Sequence, residues 1–188
     1  MIKEMLYFKD DLKRWEIKSF KAFFYALFEA GLWATFLYRV RRTLRKVKLP
    51  ILNIVARIIN FIIFRITEGL LGATISTETE IGPGLYIGHT GILIIHPKVK
   101  AGKNLSIGQG VTIGQRGPGY SEAVPVIGDD VFIGTGAKVL GNIKIGNHAK
   151  IGANAVVLKD IPDHATAVGV PAKIVRIKEK KTGEDSVS

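Results

Sequence analysis

The chain has 188 residues, room for one compact domain plus an appendage, and its 47% hydrophobic content excludes a disordered polymer. It has no cysteine, which excludes disulfides, a thiolate nucleophile and cysteine metal sites together. The formal charge of +11 is uneven: residues 1–71 hold 14 Lys/Arg against 6 Asp/Glu, and residues 72–188 hold 13 against 10. That bias points to an anionic membrane surface or ligand rather than nucleic acid, for which no binding motif is present.

Residues 1–71 read as helix. The first 21 residues carry mixed charges and lack the apolar core of a secretory signal. Residues 18–37 are rich in Phe, Ala and Leu, with Gly31 as a weak point, and 37–47 continue with a basic face of Arg39, Arg41, Arg42, Arg45 and Lys46. Pro50 breaks the run and opens a further helix. Residues 49–71 have the length of a membrane span, but they contain Asn53, Arg57, Asn60, Arg65 and Glu68. A charge at the bilayer centre costs about 2.5–3.5 kcal/mol, so an amphipathic helix is expected, packed on its own protein or lying on a membrane.

From Ile75 the period changes to six. Ile75, Ile81 and Ile87 begin the series, Ala101, Ile107 and Ile113 resume it, and Ile127, Ile133, Val139, Ile145, Ile151 and Val157 run without a slip, many followed by glycine. A six-residue period fits neither a helix nor a hairpin sheet. It fits a three-sided coil of about eighteen residues, one aliphatic side chain per face pointing inward, stacked as a solenoid. Burying each rung contributes about 1.5–3 kcal/mol. The register slips twice. The stretch from Ile87 to Ala101 contains His89, Thr90, Gly91, His96 and Pro97; the stretch from Ile113 to Ile127 contains a loop over 115–124. Loops on a rigid scaffold are where function concentrates.

Four segments resemble the serine acetyltransferase family, and more closely its sugar- and polysaccharide-modifying relatives: Gly84-Leu85-Tyr86-Ile87-Gly88-His89, Gln109-Gly110-Val111-Thr112-Ile113-Gly114, Ile133-Gly134-Thr135-Gly136-Ala137-Lys138-Val139, and Gly169-Val170-Pro171-Ala172-Lys173-Ile174-Val175. Upstream, Leu37-Tyr38-Arg39 resembles the helical segment before the prism. The resemblance implies a left-handed parallel β-helix (73–172) preceded by an N-terminal α-helical region (1–72) and followed by a tail (173–188); residues 178–188 are polar with no apolar period and are expected to be disordered. It also implies an acetyl-CoA-dependent O-acetyltransferase, a homotrimer with its cleft between subunits, a cytoplasmic location and His89 as catalytic base. Histidine titrates near neutral pH and suits deprotonation of an attacking hydroxyl. Gly114, Gly134, Thr135 and Ala153 are the small positions expected beside coenzyme A, and Lys159, Lys173 and Arg176 the cations near its phosphates. No residue set has metal-ligand spacing.

Departures from the family pattern steer the choice of acceptor. Thr74 stands where the serine enzymes carry an aspartate, Gly88 where they carry another, and Ala123 and Val124 where they carry an Arg-His pair. The favoured acceptor is therefore a saccharide hydroxyl in surface-polysaccharide assembly, with serine O-acetylation and a non-catalytic scaffold as alternatives. Glu68, Glu78, Glu80 or a backbone carbonyl is left to orient His89. His96 is a second candidate base, while His148 and His164 read as structural. The basic N-terminal helices are expected to dock on a membrane, to cap the prism and join the trimer, or to do both.

Overall fold

The structure, a computed structural model, describes residues 2–177, with only the backbone of Ile2 and Phe23. The expected disorder of 178–188 lies outside the described residues. Four helices come first: α1 (Ile2–Lys13), α2 (Phe20–Ala26), α3 (Ala30–Leu44) and α4 (Pro50–Leu71). The Phe-rich run divides between α2 and α3 just ahead of Gly31. Pro50 occupies the first turn of α4, and Gly72 closes that helix at φ 60°, a left-handed cap that suits glycine.

The rest is a solenoid of parallel strands. Its first coil is β1 (Ala73–Ile75), β2 (Glu80–Ile81) and β3 (Tyr86–Ile87); the second is β4 (Leu93–Ile95), β5 (Lys100–Ala101) and β6 (Ser106–Ile107). The third is β7 (Thr112–Gly114), β8 (Val126–Ile127) and β9 (Phe132–Ile133), and the fourth β10 (Lys138–Leu140), β11 (Lys144–Ile145) and β12 (Lys150–Ile151). The fifth holds β13 (Val156–Val157), a single bridge at Ile161, and β14 (Ala165–Val168). Like faces stack into three sheets, so β1, β4, β7, β10 and β13 make the first face, and β3, β6, β9, β12 and β14 the third. Residues 173–177, assigned to the tail from sequence, instead form β15 (Lys173–Ile177), which turns back antiparallel on β14. It covers the open edge of the third face, whose unpaired backbone groups would otherwise recruit another strand.

Each face sends up to two side chains inward per coil. On the third face Leu85/Ile87 and Leu105/Ile107 give way to Val131/Ile133, Ala149/Ile151 and finally Ala165/Ala167, all buried, whereas the second face grows from Val99 and Ala101 to Ile143/Ile145. The register slips resolve cleanly. Ile87 to Ile95 takes eight positions where Ile107 to Ile113 takes six, so the first insertion lies in the turn bearing His89. Ile95 to Ala101 is an ordinary six, so His96 and Pro97 are not part of that bulge, contrary to the sequence reading.

The basic face of α3 is not a surface feature. Tyr38 and Arg39 are buried, and their polar groups satisfy the carbonyls that the first coil would leave orphaned. The Tyr38 hydroxyl donates to Thr79 O (2.7 Å), Arg39 to Ile81 O (2.9 Å) and Gly82 O (2.6 Å), and Arg41 to Ile75 O (2.9 Å); Arg42 also donates to Thr79 O. Arg39 is held in turn by both oxygens of Asp11 (2.8 and 3.1 Å), and Asp11 accepts from the Leu85 N–H (2.7 Å). Burial pushes the Asp11 carboxyl above its ordinary value despite Arg39. Gly31 permits the approach, since a Cβ there would lie 1.8 Å from Ile87 O.

Candidate active site

The edge where the third face turns into the first carries His89 and several of the small positions singled out from the sequence. Hydrogen bonds from the N–H groups of Gly88, Gly108, Gly134 and Gly152 to Ile107, Ile133, Ile151 and Ala167 stack these four glycines coil upon coil. The residue after each, namely His89, Gln109, Thr135 and Ala153, forms a column along the edge. His89 is exposed at its head, in the widened turn. That turn is pinned where the Gly110 N–H donates to Gly91 O (2.7 Å). Its next residue, Ile92, sits at φ 49° with 74% of its surface exposed. A β-branched residue in the left-handed region costs of order 1–3 kcal/mol and persists only where the surroundings impose it.

Three of the seven coenzyme candidates share this edge: Gly134, Thr135 and Ala153. Thr135 donates to Gln109 Oε1 (3.2 Å), so Gln109 joins the site although the sequence reading passed over it. Gly134 has a packing reason as well, because a Cβ there would meet Ala153 N at 2.7 Å. Of the other four, Lys173 alone approaches that edge, paired with Val168 at its C-terminal end. Gly114 lies at the far end of the first face, Lys159 in the turn from the first face to the second, and Lys173 and Arg176 on the exposed face of β15. A cation missed from sequence also borders the edge. Lys138 of β10 donates to Gly110 O (2.6 Å) and Thr112 Oγ1 (3.1 Å). Its outward place in the repeat was the available signal.

The proposed orienting carboxylates are engaged elsewhere: Glu68 with Arg65 (2.7 Å), Glu78 with Arg45 (3.1 Å) and Glu80 with Lys100 (3.8 Å). Thr74 lies on the first face, one coil below Ile94. It lines a groove of about 540 Å³ with Arg41, Phe64, Ser76, His96 and Gln115. Gly114 also lines this groove, and His89 does not. His96 Nδ1 accepts the Lys98 N–H (3.2 Å), which leaves Nε2 as its other ring nitrogen for a ligand. His148 and His164 stack in parallel, 4.7 Å apart, on a different edge, consistent with a structural role.

A coiled prism of hexapeptide rungs with an exposed histidine and small residues along one edge defines a hexapeptide-repeat acyltransferase. Residues 125–159 match the bacterial transferase hexapeptide (six repeats) family. The serine acetyltransferase of Bacillus pumilus is 40% identical over 156 residues, covering 83% of this chain and 69% of the relative. The serine acetyltransferase of Neisseria gonorrhoeae in complex with serine superposes with a TM-score of 0.78 at 30% identity, covering 93% of this chain and 70% of that one. The Brucella abortus serine acetyltransferase in complex with coenzyme A gives 0.78 at 27%, covering 92% and 67%. The chain belongs to the serine acetyltransferase family and is an acetyl-CoA-dependent acyltransferase. These matches give no support to the sugar-modifying relatives favoured from the sequence.

Proposed function

We propose that the protein transfers the acetyl group of acetyl-CoA to the hydroxyl of serine. The 40% identity to a serine acetyltransferase over 156 residues carries this reading. The imidazole of His89 removes the hydroxyl proton as the oxygen attacks the thioester carbonyl. Collapse of the tetrahedral intermediate expels the thiolate of coenzyme A, and the imidazolium returns the proton to that sulfur. The column Gln109–Thr135–Ala153 offers the pantetheine arm a smooth edge, and Lys138 is a cation beside it. In this reading the protein is a cytoplasmic homotrimer, with a neighbouring prism forming the cleft's second wall.

One observation favours a second reading, a saccharide hydroxyl. Thr74, Gly88, Ala123 and Val124 replace charged residues that would hold a zwitterion and steady the imidazolium. Free-thiol release from acetyl-CoA, followed with serine and with a panel of sugars, separates the two. Turnover on serine supports the first reading. Turnover on a sugar alone overturns it.

A further inference from the structure

Helix α4 is built inside out. Its face toward the protein holds Ala56 and Thr67, both buried, and Asn60, which donates to Arg41 O (3.0 Å) and accepts from Arg41 Nε (3.1 Å). Its outward face holds ten large apolar side chains that are 42–80% exposed, among them Ile54, Ile58, Phe61, Ile62, Ile66 and Leu70. A helix that needed no partner would show the opposite pattern. Ten such side chains on one face make a patch beyond the few hundred Å² that a monomer ordinarily exposes.

The charges select the occupant. Arg57 flanks the apolar face, Arg65 lies within it, and Lys48 precedes the helix; all three are exposed. Glu68 is the one acidic residue of α4, and it is already paired with Arg65. A contact between copies through this face would desolvate Arg65, which lies within the apolar surface, and a two-fold contact would also bring the same cations together. At an anionic bilayer the same cations are attracted, and arginine stems lie along the apolar surface while their heads reach the lipid phosphates. Among the described residues no single helix is long and apolar enough to cross a membrane, so α4 lies in the plane of the interface.

We propose that the outer face of α4 docks the enzyme on an anionic lipid bilayer, immersing its Ile and Phe side chains at the headgroup boundary. The inference is independent of the acceptor's identity.

The test is flotation of the full chain with vesicles of phosphatidylcholine alone or with one-third phosphatidylglycerol. Binding is expected on the anionic vesicles, weaker by roughly fivefold for each cation removed among Lys48, Arg57 and Arg65. The exposed double variant Ile58→Glu/Ile62→Glu should lose flotation while keeping its circular dichroism spectrum and its thiol-release rate in solution. Absence of wild-type flotation on anionic vesicles overturns the proposal, as does undiminished flotation of the double variant. A wild type that does not float, together with a double variant of lower mass by light scattering, assigns the face to contact between copies instead.

Discussion

In the proposed reaction His89 removes the proton of the acceptor hydroxyl. Its replacement by Ala should lower kcat by about 10²–10⁴-fold, the usual contribution of a positioned general base, with little change in the KM for acetyl-CoA. A His89→Ala enzyme of undiminished kcat would move the base elsewhere, with His96 the next residue to test. The bulge that carries His89 was legible in the sequence because an irregularity in a strict six-residue repeat marks the turn that leaves the prism. Lys138 and Gln109 were not, because they occupy ordinary outward positions of the repeat and become site residues only when coils stack. The assignment of His96 to the bulge failed for a related reason. Counting positions gives the size of an insertion between two rungs, but only strand pairing says which turn absorbs it.

Helix α3 shows how an element's charge can mislead when read along the chain. Arg39, Arg41 and Arg42 look like a surface stripe, yet they plug the first coil, whose carbonyls have no preceding strand. Arg39→Met should destabilise the protein by about 3–5 kcal/mol in chemical denaturation, because it leaves buried Asp11 without its partner. Adding Asp11→Leu to that variant should recover part of the loss. Gly31→Ala should also be costly, by at least the 1–3 kcal/mol typical of overpacking, since the obstructing atom is backbone. The docking of α1 adds a pH dependence. Burial opposes the charge on Glu4, but Lys46 and Arg42 outweigh it and hold the carboxyl below the usual carboxylate range. A depressed folded pKa stabilises above the unfolded value, and that contribution disappears as pH falls through the folded one. Denaturation midpoints across the acid range should therefore fall less steeply for Glu4→Gln than for the wild type.

At the scale of the whole molecule, the repeat made the architecture legible almost entirely, because a solenoid is specified by local spacing alone. Capping by the N-terminal helices was among the sequence readings, but the contacts that close the two ends were not, since those of α3 and β15 join distant segments: Arg39 lies 42 residues from the Ile81 carbonyl it satisfies. Within the stack each rung rests on its neighbours. Ile133→Ala in a central coil should cost about 2–5 kcal/mol, measured as a lowered denaturant midpoint, since the rungs above and below cannot collapse into the space. Because rungs shrink along the third face while they grow along the second, each coil of the prism has its own cross-section. The coils are therefore not interchangeable bricks. A duplicated turn of chain is accommodated only beside turns of matching bore, so the number of storeys is limited by side-chain volume as much as by the helices and strand that close the two ends.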